Sequence, residues 1–325
     1  MEKLLCELLE GVVLGEGQST RNLTVFPLFS QAEGPACVTL KDALARHLLE
    51  VREVSAGGSV PQLEAVNEGD LPVLLLDGEE LSGAKQNRVL NTTLLVPAHA
   101  HLLIPVSCTE HGRWSYNSPV FAESGYVMSP QIRAKKVHSV SESLRQERGY
   151  RSDQGEVWAE IAQRNQEAGT FSPTGAMRDS FLAKENDLAE VTRLIPCLEE
   201  QKGLLLWING AVLGFDLLPS PGVYRQLHDK LLKSYAMDSL LRGNGGKGDA
   251  RATAFAFLKE GMQSHEETFP SIGLGRDHRL HGPQLAGSAL SLDAQVAHLA
   301  LFRMDSGEAV GPMAPLHRRR AYRVE

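Results

Sequence analysis

Through the first 128 residues, short apolar runs alternate with turn-forming residues, the pattern of β-strands joined by tight turns. Asp77 and Gly78 predict a hairpin turn, because both residues tolerate the positive φ angle that a type I′ turn needs. Gly57-Gly58 predicts another turn, and Thr39 can cap one short helix. Strands are predicted at residues 23–29, 51–54, 63–66, 73–76, 89–96 and 102–106.

From residue 129 onward the apolar positions follow a helical period. A further helix is predicted over residues 250–262, Asn209-Gly210 joins two strands within residues 204–218, and a last strand covers residues 296–302. Three helix starts are predicted from capping residues and prolines, at Asp153 with Glu156, at Ser172-Pro173 and at Ser220-Pro221.

These patterns predict an α+β fold, with an N-terminal antiparallel β sandwich or barrel-like half and a helix-rich half that contains a few additional strands. Residues 1–128 form the mostly β region that carries a polar motif, and residues 129–304 pack on it within one continuous domain. Residues 305–325 have little to bury, so we expect a disordered tail.

Charge and cysteine content narrow the classes of function. A net charge of -7 argues against general nucleic-acid binding and against binding to anionic membranes, because both need a basic surface. The four cysteines are scattered, without a CxxC pair, which is typical of reduced thiols in the cytoplasm. Neither a signal peptide nor a run of about 20 apolar residues is present, so no membrane association is expected. The residues leave the oligomeric state open.

The most unusual stretch is the run Lys85, Gln86, Asn87 and Arg88, which interrupts an otherwise apolar series of strands. Burying these groups without partners would cost a few kcal/mol each, so the run is solvated, internally bonded or in contact with a ligand. Two cations and two amides suit a ligand with phosphate and ribose groups. The same site is predicted to include the flanking polar residues Glu79, Glu80 and Asn91.

A second polar cluster follows the predicted strand at residues 102–106. Glu110 and Arg113 are expected to lie near the first cluster, and Trp114 can stack on a base or pack in the core. Cys108 with His111 is a candidate nucleophile and base, although a buried structural cysteine is the more common use of this residue.

The remaining motifs lack the residue spacing that phosphate loops and zinc sites require. The glycine-rich loop at residues 243–248 has the wrong spacing for a phosphate loop and lacks its serine or threonine, so it is interpreted as a linker. His99 and His101, and the group Asp277, His278 and His281, do not reproduce a zinc spacing with a clear third ligand. No metal and no cofactor is therefore predicted.

One long motif carries a family resemblance. Residues 77–93 (DGEELSGAKQNRVLNTT), followed by IPVSC at 104–108 and GRW at 112–114, resemble the signature of a largely uncharacterised bacterial domain family. That family is named for its gene neighbours, an ADP-ribosylglycohydrolase and a rhodanese-like phosphatase. The resemblance continues through residues 172–177 and 231–236 and implies a role near ADP-ribose or NAD-derived nucleotides. It supplies no catalytic residues.

Three functions remain open from these observations. The first is binding, with or without processing, of an ADP-ribose-like or other phosphorylated small molecule, with Lys85 and Arg88 on phosphate and Glu79 or Glu80 as a candidate acid or base. The second is a non-catalytic interaction or scaffold protein whose polar motif is a structural network. The third is an enzyme that depends on Cys108. A ligand site should leave Lys85 and Arg88 partly exposed in a hollow, whereas a network should bury them against carboxylates.

Overall fold

A computed structural model describes residues 1–55, 61–242 and 248–304 of the chain. Within these ranges the backbone forms eight helices and eighteen strands, and the α+β class is confirmed. The predicted tail, the Gly57-Gly58 turn and most of the glycine-rich loop lie outside the described residues. The helices are α1 (Lys3–Glu10), α2 (Leu40–Ala45), α3 (Pro130–Arg145), α4 (Gln154–Glu167), α5 (Met177–Ala183), α6 (Glu185–Leu194), α7 (Pro221–Leu241) and α8 (Ala250–Met262).

Most predicted helix starts are confirmed by side-chain caps. The Thr39 hydroxyl, the Asp153 carboxylate and the Ser220 hydroxyl each accept a backbone N–H from the first turn of α2, α4 and α7. The start at Ser172 is wrong, because α5 begins only at Met177. Between them Gly175 has a φ angle of +63°, a left-handed conformation that a continuous helix does not contain.

Six strands form an antiparallel sheet, here called the curled sheet, whose two edge strands β12 and β5 come close to each other. Its inner face packs around an apolar core that includes Leu81, Leu90 and Val106. In spatial order the strands are β12 (Phe121–Val127), β8 (Glu79–Gly83), β9 (Arg88–Leu90), β11 (Ala100–Cys108), β6 (Gln62–Asn67) and β5 (Leu49–Glu53).

A small three-stranded sheet corrects two predictions about the first half. Its strands are β10 (Leu94–Val96), β7 (Val73–Leu75) and β4 (Val38–Thr39). The single strand predicted over residues 89–96 is therefore wrong, because Asn91 and Thr92 make side-chain bonds that divide it into β9 and β10. Gly78 does turn the chain with a φ angle of +83°, but β7 and β8 lie in different sheets, so this turn does not close a hairpin.

The large sheet has nine strands within the described ranges and takes strands from both halves of the chain. Asn209 and Gly210 have φ angles of 50° and 94°, which confirms the predicted hairpin. The last predicted strand is β18, which lies in the middle of the sheet between β14 and β17. In spatial order the strands are β1 (Val13–Leu14), β3 (Leu23–Phe29), β13 (Gly203–Ile208), β14 (Ala211–Leu217), β18 (Gln295–Arg303), β17 (Leu285–Leu292), β16 (Arg276–Gly282) and β15 (His265–Pro270), with β2 (Gln18–Thr20) also paired to β3.

Helices α3 and α7 join the sheets. Helix α3 packs on β17 and β18 of the large sheet, and α7 packs on β12 of the curled sheet and β13 of the large sheet. Their apolar faces belong to the largest hydrophobic core, which includes Ile132, Val137 and Leu231. Within the described ranges, none of the helices combines the length and the apolar composition that a membrane crossing needs.

Candidate functional site

The polar motif lies at one end of the curled sheet, where the chain passes from β8 to β9. Lys85, Gln86 and Asn87 lie in the connecting loop, and of the four successive polar residues only Arg88 belongs to a strand. The run thus interrupts the series of strands mainly as a loop, and a loop accepts successive polar residues without alternation. All four side chains are nevertheless buried, so the partial exposure of Lys85 and Arg88 that was expected of a ligand site is wrong. The question is therefore which of them have partners.

Glu110 and Arg113 fasten this loop to the end of β11. The Glu110 carboxylate accepts the N–H of Asn87 at 3.2 Å and pairs with Arg113 at 2.7 Å. Arg113 also donates to the Ala84 carbonyl at 2.8 Å and to Asn87 Oδ1 at 3.1 Å. Burial raises the pKa of Glu110, but hydrogen bonds from Arg113, Thr174 and Asn87 outweigh it, and the pKa falls below its usual value. Asn87, Glu110 and Arg113 thus hold the loop in shape.

Arg88 has no such set of partners. Its side chain is 0% exposed, and its Nη1 donates to Gln86 Oε1 at 2.8 Å. Its Nε and Nη2 are shielded from water and have no hydrogen-bond partner among the described residues. Burial lowers the pKa of Arg88, while Cys108 and Glu53 oppose this effect. Arg279 also has two nitrogens without a hydrogen-bond partner, but it forms an ion pair with Asp277, whereas no carboxylate lies within 4.0 Å of Arg88 among the described residues. A buried cation without such a pair is unusual, because it has lost its hydration without replacement.

The strand register places Arg88 on the inner face of the curled sheet. Arg88 lies opposite Leu81 of β8 and Cys108 of β11, and directly opposed residues point to the same side of a sheet. Leu81 belongs to the inner apolar core, so Arg88 and Cys108 extend that face beyond the core toward the end of β11. The mouth of a barrel-like sheet is a common place for a ligand site.

Glu53 lies at the same end of the inner face. It is the last residue of β5, where Leu49 and Val51 point into the inner core and period-two alternation directs Glu53 to the same side. Both carboxylate oxygens are shielded from water and lack a hydrogen-bond partner among the described residues. No ion pair within 4.0 Å joins Glu53 to Arg88 or to another cation in the described ranges. The sequence analysis missed this residue, although the alternation Leu49-Val51-Glu53 was a signal that could have found it.

Two aromatic rings cover the cations of the loop. The Lys85 Nζ lies 5.3 Å from the ring centre of Trp114 and 5.1 Å from that of Tyr116. The Arg88 guanidinium carbon lies 5.7 Å from the centre of the same Trp114 ring. Trp114 and Tyr116 are 50% and 55% exposed, so each ring has one side toward the cations and another toward water. Cation–π contact of this kind holds the rings in place, but it leaves the hydrogen-bond donors of Arg88 unused.

Cys108 is held as a neutral thiol beside Arg88. Its Sγ donates to Gln86 Oε1 at 3.2 Å, and burial raises the pKa of the thiol even though Arg88 opposes this effect. His111 packs edge-on against Trp158 at 4.3 Å between ring centres, and no hydrogen bond connects His111 with Cys108 among the described residues. This geometry does not activate Cys108 as a nucleophile.

The other predicted site residues make contacts within the protein. Glu79 pairs with Lys230 of α7 and accepts the N–H of Leu76 at 2.7 Å. Asn91 accepts from Ser107 at 2.6 Å and donates to the Tyr150 carbonyl at 3.0 Å. Their assignment to a ligand stays a prediction.

Glu80 differs from these residues because one of its oxygens is unused. Its Oε1 accepts from Thr109 at 2.7 Å, whereas its Oε2 is shielded from water without a partner among the described residues. Burial raises the pKa of Glu80 to about 7. Glu80 lies opposite Val89 in the register, and successive residues alternate between faces, so its side chain is on the other side of the sheet from Arg88.

A buried ionic network connects the three sheets through α3. Arg133 donates two hydrogen bonds to Asp216, each of 2.8 Å. Arg133 also donates to Asp77, and Lys136 forms an ion pair with the same Asp77 carboxylate. His298 Nε2 donates to Asp216 Oδ1 at 2.9 Å. Burial alone would raise the pKa of Asp216, but Arg133 and His298 hold it well below its usual range. Sequence reasoning missed this network, because its members come from four distant segments and no local pattern connects them.

Other groups lie apart from the polar motif. Glu2, Glu266 and His278 place one ligand atom each within 4.8 Å of one another, an arrangement that the predicted histidine groups did not include. A hydrogen bond of 2.6 Å already joins His278 to Glu266. His99 pairs with Asp70 at an exposed position. A groove of about 650 Å³ runs beside α2, and none of the predicted site residues lines it.

Comparison with known proteins supports the resemblance that the motif indicated. The family model of the ARPP-1 domain, the ARG and Rhodanese-Phosphatase-superfamily-associated Protein domain, matches residues 11–302. No curated protein matches the chain. No solved structure matches it either. The match covers both halves of the fold and all of the polar motif, and the chain therefore belongs to the ARPP-1 domain family.

Proposed function

We propose that this protein binds a phosphorylated small molecule of the ADP-ribose type at the end of the curled sheet, in the cytoplasm. The observation that carries this proposal is the state of Arg88, which is fully buried with Nε and Nη2 unused among the described residues. An unpaired buried charge costs several kcal/mol. A phosphate group would accept from both nitrogens at once, because two of its oxygens match the spacing of the guanidinium fork.

Neighbouring carboxylates do not replace that phosphate. Glu110 is paired with Arg113, and Glu79 is paired with Lys230. A structural network, the rival interpretation of the motif, requires Arg88 to lie against a carboxylate within bonding distance. That role fits Glu79, but it does not fit Arg88.

The aromatic rings supply the second part of the site. Trp114 lies over the Arg88 guanidinium and is half exposed, so a ligand that reaches Arg88 must displace this ring or stack on it. An adenine ring stacks well on tryptophan and tyrosine, and Tyr116 lies next to Trp114 across Lys85. Binding should therefore change the fluorescence of Trp114.

Processing of the ligand is not part of this proposal. Glu79 forms an ion pair with Lys230, and the Glu80 side chain lies on the opposite face of the curled sheet from Arg88. Cys108 is a buried thiol with a raised pKa. The contacts at Arg88 thus favour binding over catalysis.

Isothermal titration calorimetry with ADP-ribose and inorganic phosphate tests the proposal. The wild type should bind ADP-ribose, and Arg88→Met should weaken binding at least about tenfold, because hydrogen bonds to a charged group contribute about 1.5–3 kcal/mol. Arg46→Met is the matched control, since it removes the same charge from an exposed side chain on the surface at α2. Equal affinities of wild type and Arg88→Met, or no heat from either ligand with the wild type, would refute the proposal.

A further inference from the structure

Glu53 raises a separate question, because it is a buried acid with two unused acceptors. Its side chain is 9% exposed, and neither oxygen has a hydrogen-bond partner among the described residues. The adjacent Arg52 does not supply one, since it pairs with Glu50 at 2.9 Å and Glu64 at 2.8 Å. Alternation along β5 places Arg52 on the outer face, away from Glu53.

Glu53 and Arg88 are complementary groups at the same end of the inner face. They are close enough for the charge of Glu53 to raise the pKa of Arg88, but no ion pair within 4.0 Å forms between them. One group lacks acceptors and the other lacks donors. A molecule placed between them would therefore satisfy both if it carried an anionic group at one end and hydrogen-bond donors at the other.

The charges of the site determine which kind of hydrogen-bond donor the ligand would present to Glu53. The site already contains the cations Lys85 and Arg88, which would repel an ammonium group on the ligand. Glu53 itself would repel a second phosphate. Neutral hydroxyl groups meet neither repulsion, and two adjacent hydroxyls match the two oxygens of one carboxylate.

We infer that Glu53 is the specificity-determining residue of the site, where it accepts hydrogen bonds from adjacent hydroxyls of a sugar phosphate. This inference rests on the proposed function, because it assumes that the phosphate of the same molecule lies on Arg88. It goes further by naming the ligand class as a sugar phosphate with a free vicinal diol. It also predicts discrimination against deoxy sugars.

Calorimetric titration with ribose 5-phosphate, 2-deoxyribose 5-phosphate and inorganic phosphate tests this inference. The wild type should bind ribose 5-phosphate about tenfold more tightly than the deoxy sugar, the equivalent of one hydrogen bond to a charged group. Glu53→Gln should bring the ratio of the two affinities close to one. Glu50→Gln removes the same charge from the adjacent outward-facing acid and should keep the wild-type ratio.

The outcomes separate the two proposals. If the wild type binds phosphate compounds but does not distinguish the two sugars, or if Glu53→Gln retains the preference, the inference is overturned and the proposed function stands. If the wild type binds none of the three compounds, the inference is overturned, and the separate titration with ADP-ribose decides whether the proposed function stands. Should Glu53→Gln not fold, Glu53→Asp keeps the charge but shortens the reach, and it should lower the ratio severalfold.

Discussion

Three arginines are fully buried among the described residues, Arg88, Arg133 and Arg279, and Arg88 differs from the other two because no carboxylate pairs with it. Arg88 has no acidic partner within the described residues, whereas Arg279 donates to Asp277 and to Thr92, each at 2.7 Å. Replacing Arg88 or Arg279 by methionine keeps an unbranched side chain, shorter than that of arginine, and removes its charge. We expect the two substitutions to change the stability of the ligand-free protein in different directions.

The structure sets the magnitudes. Arg88→Met removes an unpaired buried charge, and replacing buried ionic groups by apolar ones is often neutral or stabilising by about 1–4 kcal/mol. The lost hydrogen bond to Gln86 offsets part of this, although Gln86 Oε1 still accepts from Cys108. The expected change is between zero and about 3 kcal/mol of added stability. Arg279→Met leaves Asp277 without its cation and should cost about 3–5 kcal/mol.

Urea unfolding, followed by circular dichroism in a buffer without phosphate or nucleotide, measures both variants against the wild type. Added ADP-ribose at 100 times its dissociation constant should stabilise the wild type by about 2.7 kcal/mol and should have little effect on Arg88→Met. If Arg88→Met loses 3 kcal/mol or more, as Arg279→Met is expected to, then Arg88 is part of a structural network. The reasoning from its unused nitrogens would then be refuted.

Two further predictions concern buried ionisable groups. Glu80→Gln should stabilise the protein by about 3 kcal/mol at pH 8 but by less than about 1 kcal/mol at pH 5. Burial raises the pKa of Glu80 in the folded protein to about 7, above its value in the unfolded chain, so ionisation of Glu80 destabilises the fold increasingly as the pH rises from the unfolded to the folded pKa. Equal gains in the free energy of chemical unfolding at both pH values would contradict this. Iodoacetamide should label Cys108 last among the four cysteines of the native protein, because only Cys108 is buried; early labelling, read by peptide mass spectrometry, would instead support a Cys108-dependent enzyme.

The parts of the fold that could be predicted depend on local chemistry. The cap at Thr39, the Ser220-Pro221 start and the Asn209-Gly210 turn each need only residues that are close in sequence, and each is confirmed. Strands β15 and β16 were not predicted, because their sequences lack a local apolar pattern. Their segments are rich in charged and histidine residues, and β16 buries Asp277, His278 and Arg279 where an apolar residue is expected. A strand whose inward positions are ionic has no apolar period to detect.

The candidate site was only partly predictable. The motif at residues 85–88 could be found from the sequence, because a run of polar residues is visible in any single sequence, and it lies at the end of the curled sheet where the candidate site is built. Which members of the motif lack partners depends on tertiary contacts. Arg113, which lies later in the chain, hydrogen-bonds to Asn87, whereas none of the described residues bonds to Nε or Nη2 of Arg88. Glu53 is separated from Arg88 by 34 intervening residues of sequence, and it lies at the same end of the inner face because the sheet curls until β5 comes close to β12.

The contrast between the two buried polar systems supports the end of the curled sheet as the proposed ligand site. In the network of α3, Arg133 already has bidentate bonds to Asp216, and a competing phosphate would have to break charge-assisted bonds that are fully made. At the end of the curled sheet, a ligand would form new hydrogen bonds to Arg88 and Glu53 without breaking existing hydrogen bonds of Arg88 Nε and Nη2 or of the Glu53 carboxylate, although it would displace or cover the Trp114 ring. The free energy gained on binding is therefore larger at the unpaired groups, even though the paired network contains more charges. Their mutual pairing accounts for the burial of Arg133 and Asp216; no such pairing accounts for Arg88, whereas the proposed ligand would.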